Sequence, residues 1–160
     1  MSIKNVLIFT FILGALVIGT FLVVLKFDTR GNPATNISIL PDYNRKISIA
    51  GIPLRVEFAD TKEAQALGLS FRTPLKEDEG MLFVFDRPNT YKFWMKDMNF
   101  AIDMIWLDVN KKIVYIERNA TPESYPKLFG PDQDAKYVLE VIAGFSAKHN
   151  LKIGDSLDLN

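Results

Sequence analysis

The sequence predicts a mainly β chain: a compact antiparallel β-sandwich or jelly-roll-like barrel with one or two short helices, preceded by an N-terminal transmembrane helix. Three observations carry this expectation. Beyond Lys46 the chain holds about seven or eight short stretches rich in β-branched and aromatic residues, separated by turn-forming Gly, Pro, Asn and Asp. Only one stretch, Lys62 to Leu67, is bracketed by clear helix signals. Val6 to Leu25 contain no charge, and only Thr10, Gly14, Gly19 and Thr20 interrupt the apolar run.

At about 1.5 Å per residue that run spans about 30 Å, the thickness of a bilayer core. A buried core helix would show one apolar stripe, and nothing amphipathic marks a face here. A cleaved signal peptide would carry a shorter apolar region ending in small residues, whereas Val23-Val24-Leu25-Lys26-Phe27-Asp28 offers none. Residues 1–26 are therefore expected to be a retained, single-pass signal anchor with its core at residues 6–25. Lys4 and the α-amino group on one flank balance Lys26 and Arg30 on the other, so charge alone leaves orientation open. A short tail before a long domain is the usual form of a signal anchor whose domain is translocated, which predicts an extracytoplasmic domain.

Residues 27–45 carry Gly31, Pro33 and Pro41 among polar residues without a sustained period and read as a linker. The folded domain is expected over residues 46–160. Ile47 to Phe58 reads as a hairpin about Ala50-Gly51, with Leu54, Val56 and Phe58 alternating with Arg55 and Glu57. Asp60-Thr61 supplies an N-cap for Lys62 to Leu67, and Gly68 a stop. Gly80 to Phe85 and Tyr91 to Met95 read as paired strands. Ile102 to Asp108, apolar on both faces except Asp103, reads as a central strand, turning at Asn110-Lys111 into a partner at Ile113 to Glu117. A long loop from Asn119 to Ala135 holds Pro122, Pro126 and Pro131; a strand follows at Tyr137 to Ile142. A helical turn from Gly144 to Asn150 and a last strand near Ser156 to Leu159 complete the domain.

Charge excludes one function class: 19 Lys+Arg balance 19 Asp+Glu, so no basic excess exists to neutralise phosphates, and no nucleic-acid partner is expected. Only Lys4 is charged within the first 25 residues, which leaves 18 basic against 19 acidic residues beyond them, a net −1. The absence of Cys and the single His149 remove disulfides, thiolate zinc sites, iron–sulfur clusters, cysteine nucleophiles and any site needing two imidazoles. No Ser sits in a nucleophile elbow. Asp60, Asp103 and Glu140 could meet around a cation, but no loop has calcium-site spacing, so neither a metal nor a cofactor is expected.

Asp103 and Glu140 are each the one acid in an otherwise apolar strand. Burying an unpaired carboxylate costs several kcal/mol, on the order of the cost of any isolated buried charge, so each needs a partner or a purpose. They could act as acid and base across a cleft or hold a cation. Alternatively each accepts hydrogen bonds or pairs with Lys96 or Arg72, locking strand to loop. Alternation along Phe93-Trp94-Met95-Lys96 puts Trp94 and Lys96 on one face, Phe93 and Met95 on the other. Trp94 beside Lys96 would make a stacking surface with a charged end, suited to a sugar or peptide; it could equally be core, with Lys96 snorkelling beside it.

In this order, Gly80-Met-Leu-Phe-Val-Phe85, Phe93-Trp-Met-Lys96, Asp103-Met-Ile-Trp106, Thr121-Pro-Glu-Ser-Tyr-Pro126, Tyr137-Val-Leu-Glu140 and Gly154-Asp155 resemble the prokaryotic family called domain of unknown function 192. The resemblance covers roughly Ile47 to Leu159, and Asp60-Thr61, Gly68-Leu69 and Arg72 fit it too. It implies a compact β-sandwich-like domain, often behind a signal or anchor, with no established activity. The family commonly has Asn-Thr after Met-Lys and Pro before Leu-Asp, where this chain has Asp97-Met98 and Ala101-Ile102. Residues Arg72, Trp94, Met95, Lys96, Asp103 and Glu140 are expected to share one ligand-binding neighbourhood. Two functions follow: a membrane-tethered module binding a small molecule, glycan or polypeptide, or an envelope hydrolase or lyase using Asp103 and Glu140 with Lys96. Carboxyls separated by about 5–10 Å across an open cleft would favour the enzyme.

Overall fold

The structure is a computed structural model that describes residues 43–159. No helix among them is long and apolar enough to cross a membrane, and the anchor expected over residues 6–25 lies outside the described residues.

Alternation and turn chemistry produce the strands largely where the sequence puts them. Strands β1 (Arg45–Ile49) and β2 (Ile52–Ala59) form the hairpin about Ala50-Gly51, with Ile47 opposite Leu54. Helix α1 (Lys62–Leu67) starts where Thr61 accepts a hydrogen bond from the Ala64 amide and stops at Gly68, whose φ of 52° and ψ of −134° suit a residue without a Cβ. Strands β3 (Glu79–Asn89), β4 (Ile102–Leu107), β5 (Ile113–Ala120) and β6 (Ala135–Ile142), helix α2 (Phe145–Lys148) and strand β7 (Leu157–Leu159) follow.

The pairing departs from the expected antiparallel sandwich. All seven strands join one sheet in the order β5-β4-β6-β3-β2-β1-β7, and β2 and β3 run parallel. Period-2 alternation locates strands but leaves their neighbours open. Here residues 60–78, including α1, supply the long crossover that a parallel pair needs. Nor does Tyr91 to Met95 pair with β3, whose partners are β2 along Glu79–Phe83 and β6 on the other edge. That segment makes one isolated bridge, Phe93 with Phe129.

The sheet curls into a half-barrel. Its two edges meet at one corner, where Ile113 donates to the Asp155 carbonyl at 2.9 Å and Leu157 to the Lys111 carbonyl at 2.9 Å. Alternate residues then serve two separate cores. Ile47, Ile49, Leu54, Val56, Leu82, Ile105, Leu139 and Val141 fill the concave side. Met81, Phe83, Met104, Trp106 and Val138 face the convex side, which Leu69, Leu75, Met95, Phe100 and Phe129 cover. All six β4 residues are buried, as expected of a strand paired on both edges and covered on both faces.

Candidate functional site

The site is built on the convex face, where the antiparallel β3 and β6 run beside the α1 turn and the 91–98 segment. Gly80 admits close approach of β6, since a Cβ there would lie 2.8 Å from the Glu140 carbonyl. Glu140 pairs with Met81 on one side and Met104 on the other, so its side chain shares the convex face with theirs. A cleft of about 180 Å³ opens above it, walled by Phe83, Phe85, Phe93 and Trp94 and by the backbone turn at Gly68-Leu69.

Aromatic contacts fix these walls. Phe83 and Phe93 meet edge to face at 4.8 Å between ring centroids, Phe93 meets Trp106 at 5.7 Å, and Phe85 stacks on Tyr91. The Trp106 indole donates to the Tyr91 carbonyl at 2.9 Å, anchoring the segment's start. Its end is tied to the chain after α1: Phe71 donates to the Asp97 carbonyl at 2.8 Å, and the Ser70 hydroxyl to the Lys96 carbonyl at 3.0 Å. Asp97 sits at φ 56°, a left-handed position that Asn and Asp tolerate better than most side chains, so the turn after Lys96 forms with Asp where Asn is usual.

The alternation expected along this segment is present although it is not a strand. Met95 is buried in the convex core and Phe93 packs against it, while Trp94 is 51% exposed at the cleft mouth and meets Tyr125 at 5.7 Å. Lys96 also lines the mouth; its ammonium lies 3.9 Å from the Asp97 carboxylate. Arg72 lies beside the cleft, with its guanidinium forked onto Glu57 at 2.6 and 2.9 Å.

Glu140 is the unusual member. It is 5% exposed, and its Oε2 is one of only two buried side-chain polar atoms among the described residues without a hydrogen-bond partner. Burial pushes its carboxyl up to about 8, against a weaker opposing pull from Arg72. The expected partners fail for structural reasons. Arg72 is committed to Glu57, and the Lys96 ammonium lies beside the Asp97 carboxylate at the rim.

Asp103 does not join this neighbourhood. It lies between Ile102 and Met104, both on the convex face, so alternation turns it to the concave face, opposite Glu140. There it is fully buried and accepts from three amides: Asn119 at 2.9 Å, Gly144 at 3.2 Å and Ser146 at 2.8 Å. It pins β5 and the start of α2 to β4. The expectation of one shared site is corrected: Trp94, Lys96 and Glu140 line the cleft, Met95 and Arg72 support it, and Asp103 belongs to the scaffold. Phe83, Phe85 and the Gly68-Leu69 turn were not singled out as site residues in the sequence, because they read as ordinary strand and helix-stop residues. Among the described residues no three His, Asp or Glu side chains gather as a metal site.

The DUF192 family model, described as "Uncharacterized ACR", matches residues 45–159, and the chain belongs to that family. Among solved structures, the chain is similar to a protein of unknown function from Novosphingobium aromaticivorans DSM 12444, at 30% identity and TM-score 0.67, covering 71% of this chain and 83% of that one. It is also similar to a protein from Sinorhizobium meliloti 1021 described as a "putative transcription regulator", at 27% identity and TM-score 0.70, covering 75% of this chain and 96% of that one. No curated protein matches.

Proposed function

We propose that this chain is a ligand-binding module, held at a membrane by residues 6–25 with its domain outside the cytoplasm. The ligand is a small molecule or the end of a glycan or polypeptide, received in the cleft between Trp94 and Glu140. The observation that carries the reading is the buried Glu140 carboxyl, left without a hydrogen-bond partner on the floor of an aromatic-walled cleft. A carboxyl kept there is costly to the fold, whereas a bound group that hydrogen-bonds to it recovers the loss. The uncharged apolar run of residues 6–25 supports the tether. The zero net charge gives no support to the regulatory role described for the Sinorhizobium protein.

An enzyme working with paired carboxylates loses its geometry here, because Asp103 and Glu140 point to opposite faces of the sheet. Native mass spectrometry on the full chain, extracted from its own host in mild detergent, tests the binding reading. A bound species should accompany the wild type and be lost from both Trp94→Ala and Glu140→Gln, each still unfolding in one cooperative transition. Wild-type protein of bare mass, or a species retained by both variants, would contradict it.

A further inference from the structure

Only a few side-chain polar groups line the cleft, and most are already engaged. Gln65 Nε2 donates to the Ala59 and Val84 carbonyls, Lys92 Nζ is held by three oxygens, and the Ser70 hydroxyl is spent on Lys96. What remains is one buried carboxyl below, apolar and aromatic walls between, and Lys96 at the rim. A sugar would bring several hydroxyls into a cleft walled mostly by apolar and aromatic groups, and each unmatched hydroxyl would cost binding. A ligand with one strong donor at the tip of an apolar stem matches the inventory.

Resting on the binding reading above, we infer that the cleft takes a protonated primary amine on an apolar stem, its ammonium donating to the Glu140 carboxylate and its stem lying against Phe83, Phe85, Phe93 and Trp94. The aromatic faces favour a cation as well as a hydrocarbon. Among the described residues Glu140 has no counter-ion, and the ligand supplies it. The charged and titratable groups around Glu140 are Arg72 beyond α1, bound to Glu57, and Tyr91, Lys92 and Lys96 from the 91–98 segment. Its neighbours across β3 and β4 are Met81 and Met104. Lys96 is offset by Asp97 beside it, so the mouth does not strongly repel a cation. Burial pushes the carboxyl up to about 8, which favours its protonated form at neutral pH, and seating an ammonium on the carboxylate expels that proton.

Calorimetry on the full chain in mild detergent, with n-butylammonium chloride, the peptide acetyl-Gly-Lys-Gly-amide, n-butanol and glucose, tests the inference. In two buffers of different ionisation enthalpy near neutral pH, either amine should bind and release about one proton per ligand. Glu140→Gln should weaken amine binding at least about tenfold, the loss expected when a charge-assisted contact becomes neutral. The tighter of the two amines identifies the source as a free amine or a lysine side chain. Binding of glucose or butanol, without proton release and lost in Trp94→Ala, would overturn the amine class while leaving the cleft a binding site. Amine binding that survives Glu140→Gln, or no amine binding at all, would also overturn it; the co-purified species judges the module itself.

Discussion

Glu140 makes the domain's stability depend on pH in an unusual direction for a carboxyl. Its folded-state value, about 8, lies above the ordinary value of 4.5, so between these limits the folded chain holds a proton that the unfolded chain has released. The stabilisation is complete below about pH 4.5 and is lost as pH rises toward 8, by on the order of 3 kcal/mol at neutral pH. Wild-type melting temperature should therefore fall across this window relative to Glu140→Gln, with the two closest at the acid end; parallel curves would contradict the burial. Asp103 offers the opposite lesson. Asp103→Ala leaves the buried Ser146 amide and the partly buried Asn119 and Gly144 amides without an acceptor and should cost about 2–3 kcal/mol by urea unfolding, without a change in what the cleft binds. Both acids stood out in the sequence as lone charges within apolar strands. Their difference was not legible there, because one step along a strand reverses the face, and only pairing shows what each face meets.

At the scale of elements, the cleft depends on the α1 stop and the 91–98 segment keeping their positions. Thr61→Ala removes the cap of a six-residue helix and should cost about 1 kcal/mol, read as a lower midpoint in denaturant. Gly130→Ala is expected to be worse. Gly130 has φ 135°, and a Cβ there would sit 2.6 Å from the Tyr91 carbonyl and 3.3 Å from the Trp106 ring, pushing away the segment that carries Phe93 and Trp94. A destabilisation above about 2 kcal/mol is predicted, with loss of the co-purified ligand even where the protein remains folded. Sequence showed α1 because cap, stop and length are local signals. It misjudged Tyr91 to Met95, whose aromatic alternation mimics a strand although its one bridge among the described residues is Phe93 with Phe129.

At the scale of the whole molecule, the curled sheet divides the domain into a concave core that stabilises it and a convex face whose loops leave the cleft open. The strands were legible from alternation and turns, but the parallel β2–β3 pair was not, since that contact is made across a long crossover. For the tether, protease added to intact cells stripped of any outer barrier should digest the domain while residues 6–25 stay with the membrane fraction. Digestion only after lysis would place the domain on the other side. The central claim, an unpartnered Glu140 carboxyl awaiting a ligand, is tested most directly by its ¹³C carboxyl resonance in the full chain, assigned with Glu140→Gln and followed from about pH 4 to about pH 10, with and without n-butylammonium chloride. The account predicts a midpoint near 8 that falls when the amine is added; a midpoint near the ordinary 4.5, unmoved by the amine, would contradict it.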